Sequence, residues 1–412
     1  MSSRPTTNVF LVFFIFISTT FYTQFSYAGC GQNINEGIQK IIDQDRIKFK
    51  IPGIQVSISC PGENTPRNFV SGTTTQEKTT PVKPDNLFQI GSETKSFTST
   101  IILKLEANGL LSINDPIEKW LPQYPAWKNI TIKQLLNHTS GIVDYFDTDE
   151  FQNIEMETNF QKQWTSDELV NLVINVSPYF SPGQGFHYSN TNYVLAGMII
   201  SVITGKSVEE EMQTLLFEPL LLSNTYYLPF SYSNDIMQRM AHGYYPVKIH
   251  EPYADSTDYN MSEADAAGAI VSTSQDTAIW LKKLFTSNVL PEKQRNEMMT
   301  LVDMDNGQPI PRASKKSGYG LGILRNFEFG TEIWGHDGST FGYNSNMILL
   351  TCNDIYITTI IDLRDEHKSS DLLNDLITYM QNTDTLKSCP KETVVKGNFY
   401  LNKGSIGIPG SC

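Results

Sequence analysis

Apolar positions first recur at helical spacing over residues 35–49, and Pro52-Gly53 breaks the run. Ile54, Val56 and Ile58 then alternate with Gln55, Ser57 and Ser59, which predicts a strand with one buried face. Pro61-Gly62-Glu63-Asn64 supplies a turn and residues 68–72 a returning strand, so the chain opens with a hairpin, not a strand-helix-strand unit. Phe97, Ile101 and Leu105 next repeat at helical spacing, flanked by Ile102, Leu103 and Ala107. Small residues at 96–100 predict an enclosed helix that begins at Ser92 and ends at Asn108-Gly109. Helical patterns dominate from 117 to 311, at 131–136, 165–174, 191–202, 207–216 and 273–285, while 231–262 reads as loop. Strand signals return at 331–335, 345–352 and 355–361. The second of these is apolar on both faces through Met347-Ile348-Leu349-Leu350, which predicts a central strand. Leu372, Leu373, Leu376, Ile377 and Met380 close the pattern as an amphipathic helix.

Strands at both ends with helices between predict an α+β fold: one antiparallel sheet built from both chain ends, flanking helices, and an inserted helical lobe. The expected organisation is one domain over 29–389, its α/β part at about 31–90 and 311–389 and its helical part at about 91–310. A tail at 390–412 carries no periodicity. Before the domain, residues 1–7 carry one Arg, 9–17 are apolar, and 26–28 end in Ser-Tyr-Ala. This is the order of a secretory signal cut after Ala28, with an apolar run too short to span a bilayer. Export would place the protein outside the cell or in a periplasm. Lipid on Cys30 is a rival reading, disfavoured by Tyr27 where a Leu-like residue is usual.

The 31 basic and 44 acidic residues give a formal charge of −13, which argues against nucleic acid and anionic membranes as partners. A small-molecule or peptide substrate remains, with no integral membrane span. The five cysteines, Cys30, Cys60, Cys352, Cys389 and Cys412, contain no C-x-x-C, and H-E-x-x-H, P-loop and G-x-G-x-x-G patterns are absent, so no metal or cofactor is implied. Cys60 and Cys352 each close a predicted strand and are the expected disulfide pair.

Candidate chemistry lies in three places. Ser92 and Lys95, three apart, would share a helix face with Cβ atoms roughly 5–6 Å apart. Serine needs a neighbouring base to act as a nucleophile, and lysine becomes one when burial lowers its pKa. A second S-x-x-K, at Ser388, contains Pro390. Tyr188 and Asn190 stand on a turn-rich loop after Pro182-Gly183 and before a predicted helix, where a phenol can relay a proton and an amide can hold a carbonyl. Tyr232-Ser233-Asn234 repeats the tripeptide without that frame. His336, Gly338 and Ser339 follow a predicted strand, in a place suited to an edge against which substrate lies.

In order and spacing, Ser92-x-x-Lys95, Tyr188-x-Asn190 and His336-x-Gly338 resemble the penicillin-recognising serine hydrolases: class C β-lactamases, D-Ala-D-Ala carboxypeptidases and related esterases. Residues 135–141 (Leu-Leu-Asn-His-Thr-Ser-Gly) and 267–273 (Ala-Gly-Ala-Ile-Val-Ser-Thr) resemble family connecting segments. The resemblance implies a β-lactamase-like fold and an acyl-enzyme on Ser92, with Lys95 and Tyr188 sharing the task of accepting its proton. Asn190, His336, Gly338 and Ser339 would then bind substrate, and the backbone N–H groups of Ser92 and Ser339 would form an oxyanion hole. It implies D-Ala-type carboxypeptidase or β-lactam hydrolysis; the alternatives are a carboxylesterase or D-aminopeptidase of the same fold, or a non-catalytic penicillin-binding sensor. His336 departs from the lysine common in β-lactamases. Asp337, if it faced the cleft, would repel a substrate carboxylate. No G-x-S-x-G elbow supports an ordinary Ser-His-Asp hydrolase.

Overall fold

The computed structural model describes residues 30–31, 34–76, 79–245, 253–287, 289–383 and 385–386. The expected signal, the Ser388 motif, Cys389, Cys412 and the tail lie outside the described residues. The main sheet has seven strands in the order Arg67–Gly72, Gly53–Ser59, Ile355–Ile361, Asn344–Leu350, Thr331–Ser339, Leu324–Glu328 and Gly318–Tyr319. Every neighbouring pair is antiparallel. The two chain ends meet where Ile54 pairs with Ile361 and Ser59 with Tyr356. Asn344–Leu350 is buried throughout and lies fourth of seven, the central place its two-sided apolar run predicts.

Apolar side chains hold helices to both faces. Ile38 and Ile42 of helix Ile34–Phe49, and Leu372, Leu376 and Ile377 of helix Glu366–Asn382, pack with Ile54, Val56, Ile58 and Ile357 on one side. Helix Ser274–Thr286 and the helical lobe cover the other. Helix Thr94–Ala107 runs through that lobe with Phe97 stacked on Trp280 at 4.0 Å between ring centroids. A small sheet of Phe88–Gln89, Ile270–Ser272 and Tyr226–Tyr227 braces its entry.

The structure departs from expectation at several points. Strand Gly53–Ser59 is buried on both faces, because helix Ser274–Thr286 lies on its polar side and pairs with it. Ser57 Oγ is 2.7 Å from Ser274 Oγ, and Gln55 Oε1 accepts from Ser274 N–H at 3.0 Å. The strand carrying His336 does not stop at 335 but runs to Ser339. The region read as loop contains a short helix, Asn234–Met237. The expected Cys60–Cys352 pair is also wrong. Cys60 bonds Cys30, which ties the start of the domain to the end of the first strand, and Cys352 is itself disulfide-bonded. Two strand ends in the same sheet do not make neighbours; only Cα atoms within about 7 Å can be bridged. With its sulfur in a disulfide, Cys30 is not available for a thioether to lipid.

The Cys30–Cys60 bridge spans 30 residues, and the chain-entropy relation for such a loop gives about 3–4 kcal/mol. Cys60→Ser is therefore expected to lower the unfolding free energy by that order in urea melts of the oxidised protein, while reduced wild type and mutant melt together.

Candidate active site

The sequence Ile90-Gly91-Ser92 must turn sharply from a strand into a buried helix. It does so through a 3₁₀ turn, Gly91–Glu93, and the α-helix starts only at Thr94. Ser92 thus precedes the helix instead of opening it. Gly91 makes the turn at φ +50°, and a Cβ there would stand 2.7 Å from both Ser339 N and Ser339 O. Only glycine lets the turn lie against the strand carrying Ser339. Gly91→Ala is expected to separate Ser92 from Ser339 and lower kcat/KM by about 10²-fold, read in steady-state kinetics of folded protein.

Lys95 is fully buried one turn on. Its Nζ lies 3.0 Å from Ser92 Oγ, 2.8 Å from Asn190 Oδ1 and 2.9 Å from the Ala267 carbonyl oxygen. Burial lowers its pKa from 10.5 to about 7, against the opposing pull of Asp144, Asp337 and Glu263. Asn190 is gripped at both ends, since its Nδ2 donates to Asp144 Oδ2 at 2.8 Å. That contact orients the amide so that its oxygen faces Lys95. Asp144 is buried, and burial followed by Asp147 raises its pKa to about 7.

The Tyr188 ring centroid lies 4.8 Å from Lys95 Nζ. Burial pushes its phenol well above the ordinary value, eased by Ser92, and among the described residues no well-formed hydrogen bond reaches the oxygen. Behind it, His336 is fully buried; its Nε2 is 3.0 Å from Tyr319 Oη and its Nδ1 2.6 Å from the Asp337 carbonyl. Burial and then Lys95 hold it down to about 3, so it is a neutral imidazole.

Beside them lies a cleft of about 360 Å³ lined by Ser92, Tyr188, Asn190 and Ser339, and by Asp144, Asp147, Glu263, Asp305 and Arg364. His336 and Gly338, expected to touch substrate, are not among its lining residues. His336 supports the wall from behind. Gly338 is a packing site, where a Cβ would meet the Ile90 carbonyl at 1.9 Å. The other Tyr-x-Asn copy is elsewhere, with Tyr232 Oη accepting from Gln89 Nε2 at 2.9 Å. Sequence reasoning missed Asp144, Glu263 and Arg364. Asp144 stands four residues beyond Ser140 in the Asn-His-Thr-Ser-Gly segment, a signal that was legible; Glu263 and Arg364 carry none.

A serine lies beside a buried amine at the seam between an antiparallel sheet and a helical lobe, the arrangement of a serine hydrolase of β-lactamase-like fold. The chain belongs to the Beta-lactamase family, whose sequence model matches residues 38–379. It is similar to a penicillin-binding protein of Bacillus subtilis, with 30% identity over 278 residues, 65% of this chain and 59% of the relative. It is also similar to Protein flp of Staphylococcus aureus, with 31% identity over 251 residues, 60% of this chain and 48% of the relative. The matches thus span about half to three fifths of those relatives. Among solved structures, D-amino acid amidase of Ochrobactrum anthropi superposes with TM-score 0.73 and 27% identity, over 85% of this chain and 99% of that one. A D-stereospecific amidohydrolase of Streptomyces sp. gives 0.71 and 28%, over 82% and 97%.

Proposed function

We propose that the protein is exported by its N-terminal signal and hydrolyses small amides or esters of D-amino acids through an acyl-enzyme on Ser92. The three partners of Lys95 Nζ carry this reading. A neutral amine has two protons and one lone pair, while Asn190 Oδ1 and the Ala267 carbonyl can only accept. Both protons are therefore committed, and the lone pair is left for the Ser92 hydroxyl. Lys95 takes the Ser92 proton as Oγ bonds to the substrate carbonyl carbon, and the carbonyl π electrons move to oxygen. Backbone N–H groups of Ser92 and Ser339 receive that oxyanion, the role their position beside the Gly91 turn suits. Tyr188, a phenol throughout neutral pH, gives its proton to the leaving nitrogen or oxygen and regains one from Lys95. Water then cleaves the acyl ester by the reverse sequence and frees Ser92.

The cleft wall supports the substrate class. Asp147 and Asp305 favour a ligand with a free ammonium and oppose one with a carboxylate, while burial pushes Asp144 and Glu263 toward their neutral forms, which can hydrogen-bond but add less charge. The similarity to proteins named for D-amino acid amide and D-stereospecific hydrolysis points the same way. Arg364 favours a second reading, a D-Ala-type carboxypeptidase or β-lactam hydrolase, since among the described residues it is the one arginine or lysine on that wall and would pair with a substrate carboxylate. The deciding experiment compares D-phenylalanine amide, its L enantiomer, an acyl-D-Ala-D-Ala peptide and benzylpenicillin as substrates of wild type. Preference for the D-amide supports the first reading. Turnover of the peptide or a lasting penicillin adduct with no amide turnover replaces it with the second.

A further inference from the structure

We infer that His138 is a positioning residue that holds Tyr188 and Asn190 in working register against Lys95, a role that rests on the acyl-enzyme reading above. His138 touches neither the cleft nor Ser92; it acts through the loop that carries the two site residues. It follows helix Ile132–Leu136, is fully buried, and adopts the left-handed region at φ +59°, uncommon for a side chain of this size. That conformation turns the backbone along the site loop, where the His138 carbonyl accepts from His187 N–H at 3.1 Å and the Thr139 carbonyl from Gly183 N–H at 2.8 Å.

The side chain makes one further attachment to the same loop and one to the helix Thr191–Thr204 that follows it. Its Nδ1 accepts from the backbone N–H of Ser189, the residue between Tyr188 and Asn190, at 3.2 Å. Asn192 Nδ2 approaches the same nitrogen at 3.3 Å. The Asn192 amide is oriented by Ser140. Ser140 Oγ accepts from Ile142 N–H at 3.0 Å and donates its own O–H to Asn192 Oδ1 at 2.6 Å. With two donors converging on Nδ1, the ring proton must sit on Nε2, which has no hydrogen-bond partner among the described residues. The ring itself packs on Tyr188 at 4.3 Å between centroids, with Tyr319 at 4.8 Å, Tyr193 at 5.4 Å and Phe186 at 5.9 Å.

Neither an aromatic nor an amide replacement satisfies both demands. Phenylalanine would fill the aromatic space but leave the Ser189 N–H and the Asn192 amide without their acceptor in a buried place. Asparagine would keep an acceptor near Nδ1 but open a gap beside Tyr188. Burial above all, and then the titratable groups Lys95, His336 and His187, keep the imidazole neutral. A neutral acceptor is the state this bracing requires.

The experiment compares wild type, His138→Phe and His138→Asn at a temperature where thermal melts show each fully folded. It reads kcat and KM separately, the pH profile, and the titration of Lys95 by NMR of protein labelled at lysine Cε. His138→Phe is expected to lose about 10–100-fold in kcat with KM changed less than about threefold, because misplacement of the relay and not of the ligand is the defect. Loosening the loop admits water to Lys95, so its titration and the acid limb of the profile move to higher pH. His138→Asn recovers part of both. A folded His138→Phe with wild-type kcat and an unmoved Lys95 titration overturns the inference. So does loss confined to melting temperature. If wild type acylates with no ester, amide or penicillin, the hydrolase reading fails on its own, and the NMR titration still decides whether His138 sets the environment of Lys95.

Discussion

Ser92→Ala is expected to reduce hydrolysis of the preferred D-amino acid amide or of an activated ester by about 10⁴–10⁶-fold in kcat, with a melting temperature close to wild type. Removing the hydroxyl leaves no atom to form the acyl bond. The Lys95 amine keeps its two carbonyl acceptors, so the surrounding hydrogen bonds persist. Intact-protein mass spectrometry gives the companion result: a mass increase equal to the acyl group in wild type during turnover of a slow ester, and none in the mutant. Retained turnover in Ser92→Ala removes the nucleophile from this position and with it the mechanism.

The second large effect concerns Lys95. With a pKa near 7, it is a base only above that pH, so kcat/KM of wild type should rise through an acid limb centred near pH 7 to a plateau. Lys95→Arg fixes a positive charge in the same place and is expected to lower the plateau by at least about 10³-fold. Stability moves with the same proton. The folded pKa lies below the unfolded value of 10.5, so between about pH 7 and 10.5 the unfolded chain binds the extra proton, and this group makes stability rise with pH. Lys95→Met removes that slope. Its stability relative to wild type should therefore be highest below pH 7 and decline by about 2 kcal/mol between pH 7 and 9 in urea melts. A difference that stays constant with pH would mean that Lys95 is protonated in the folded protein, and the base would have to be sought elsewhere.

Ser92 and Lys95 were legible in the chain because a separation of three along a helical path brings side chains together whatever else the protein does. The register survived even though the helix starts two residues later than expected. Tyr188 and Asn190 were legible from the turn residues before them and the helix after them. The central strand Asn344–Leu350 was legible because a run apolar on both faces has to be covered on both. Each of these is a local property, fixed by backbone geometry or by the cost of leaving apolar surface in water.

The partners of those residues were decided elsewhere. The alternation in Gly53–Ser59 separates apolar from polar positions but cannot say that a polar face will meet the N-terminus of Ser274–Thr286, where Ser57 and Gln55 find partners instead of water. The partner of Cys60 depended on where Cys30 came to rest, and the bracing of Tyr188 by His138 joins segments 50 residues apart in number and adjacent in space. The same holds for electrostatics. Nothing in the residue type brings Lys95 down to about 7 or Asp144 up to about 7; burial of both does. By itself the sequence determined which elements form and which side chains share a turn. Only the tertiary structure decided which polar groups lie out of water and which partner each one meets, because desolvation and contact arise between segments and have no period along the chain.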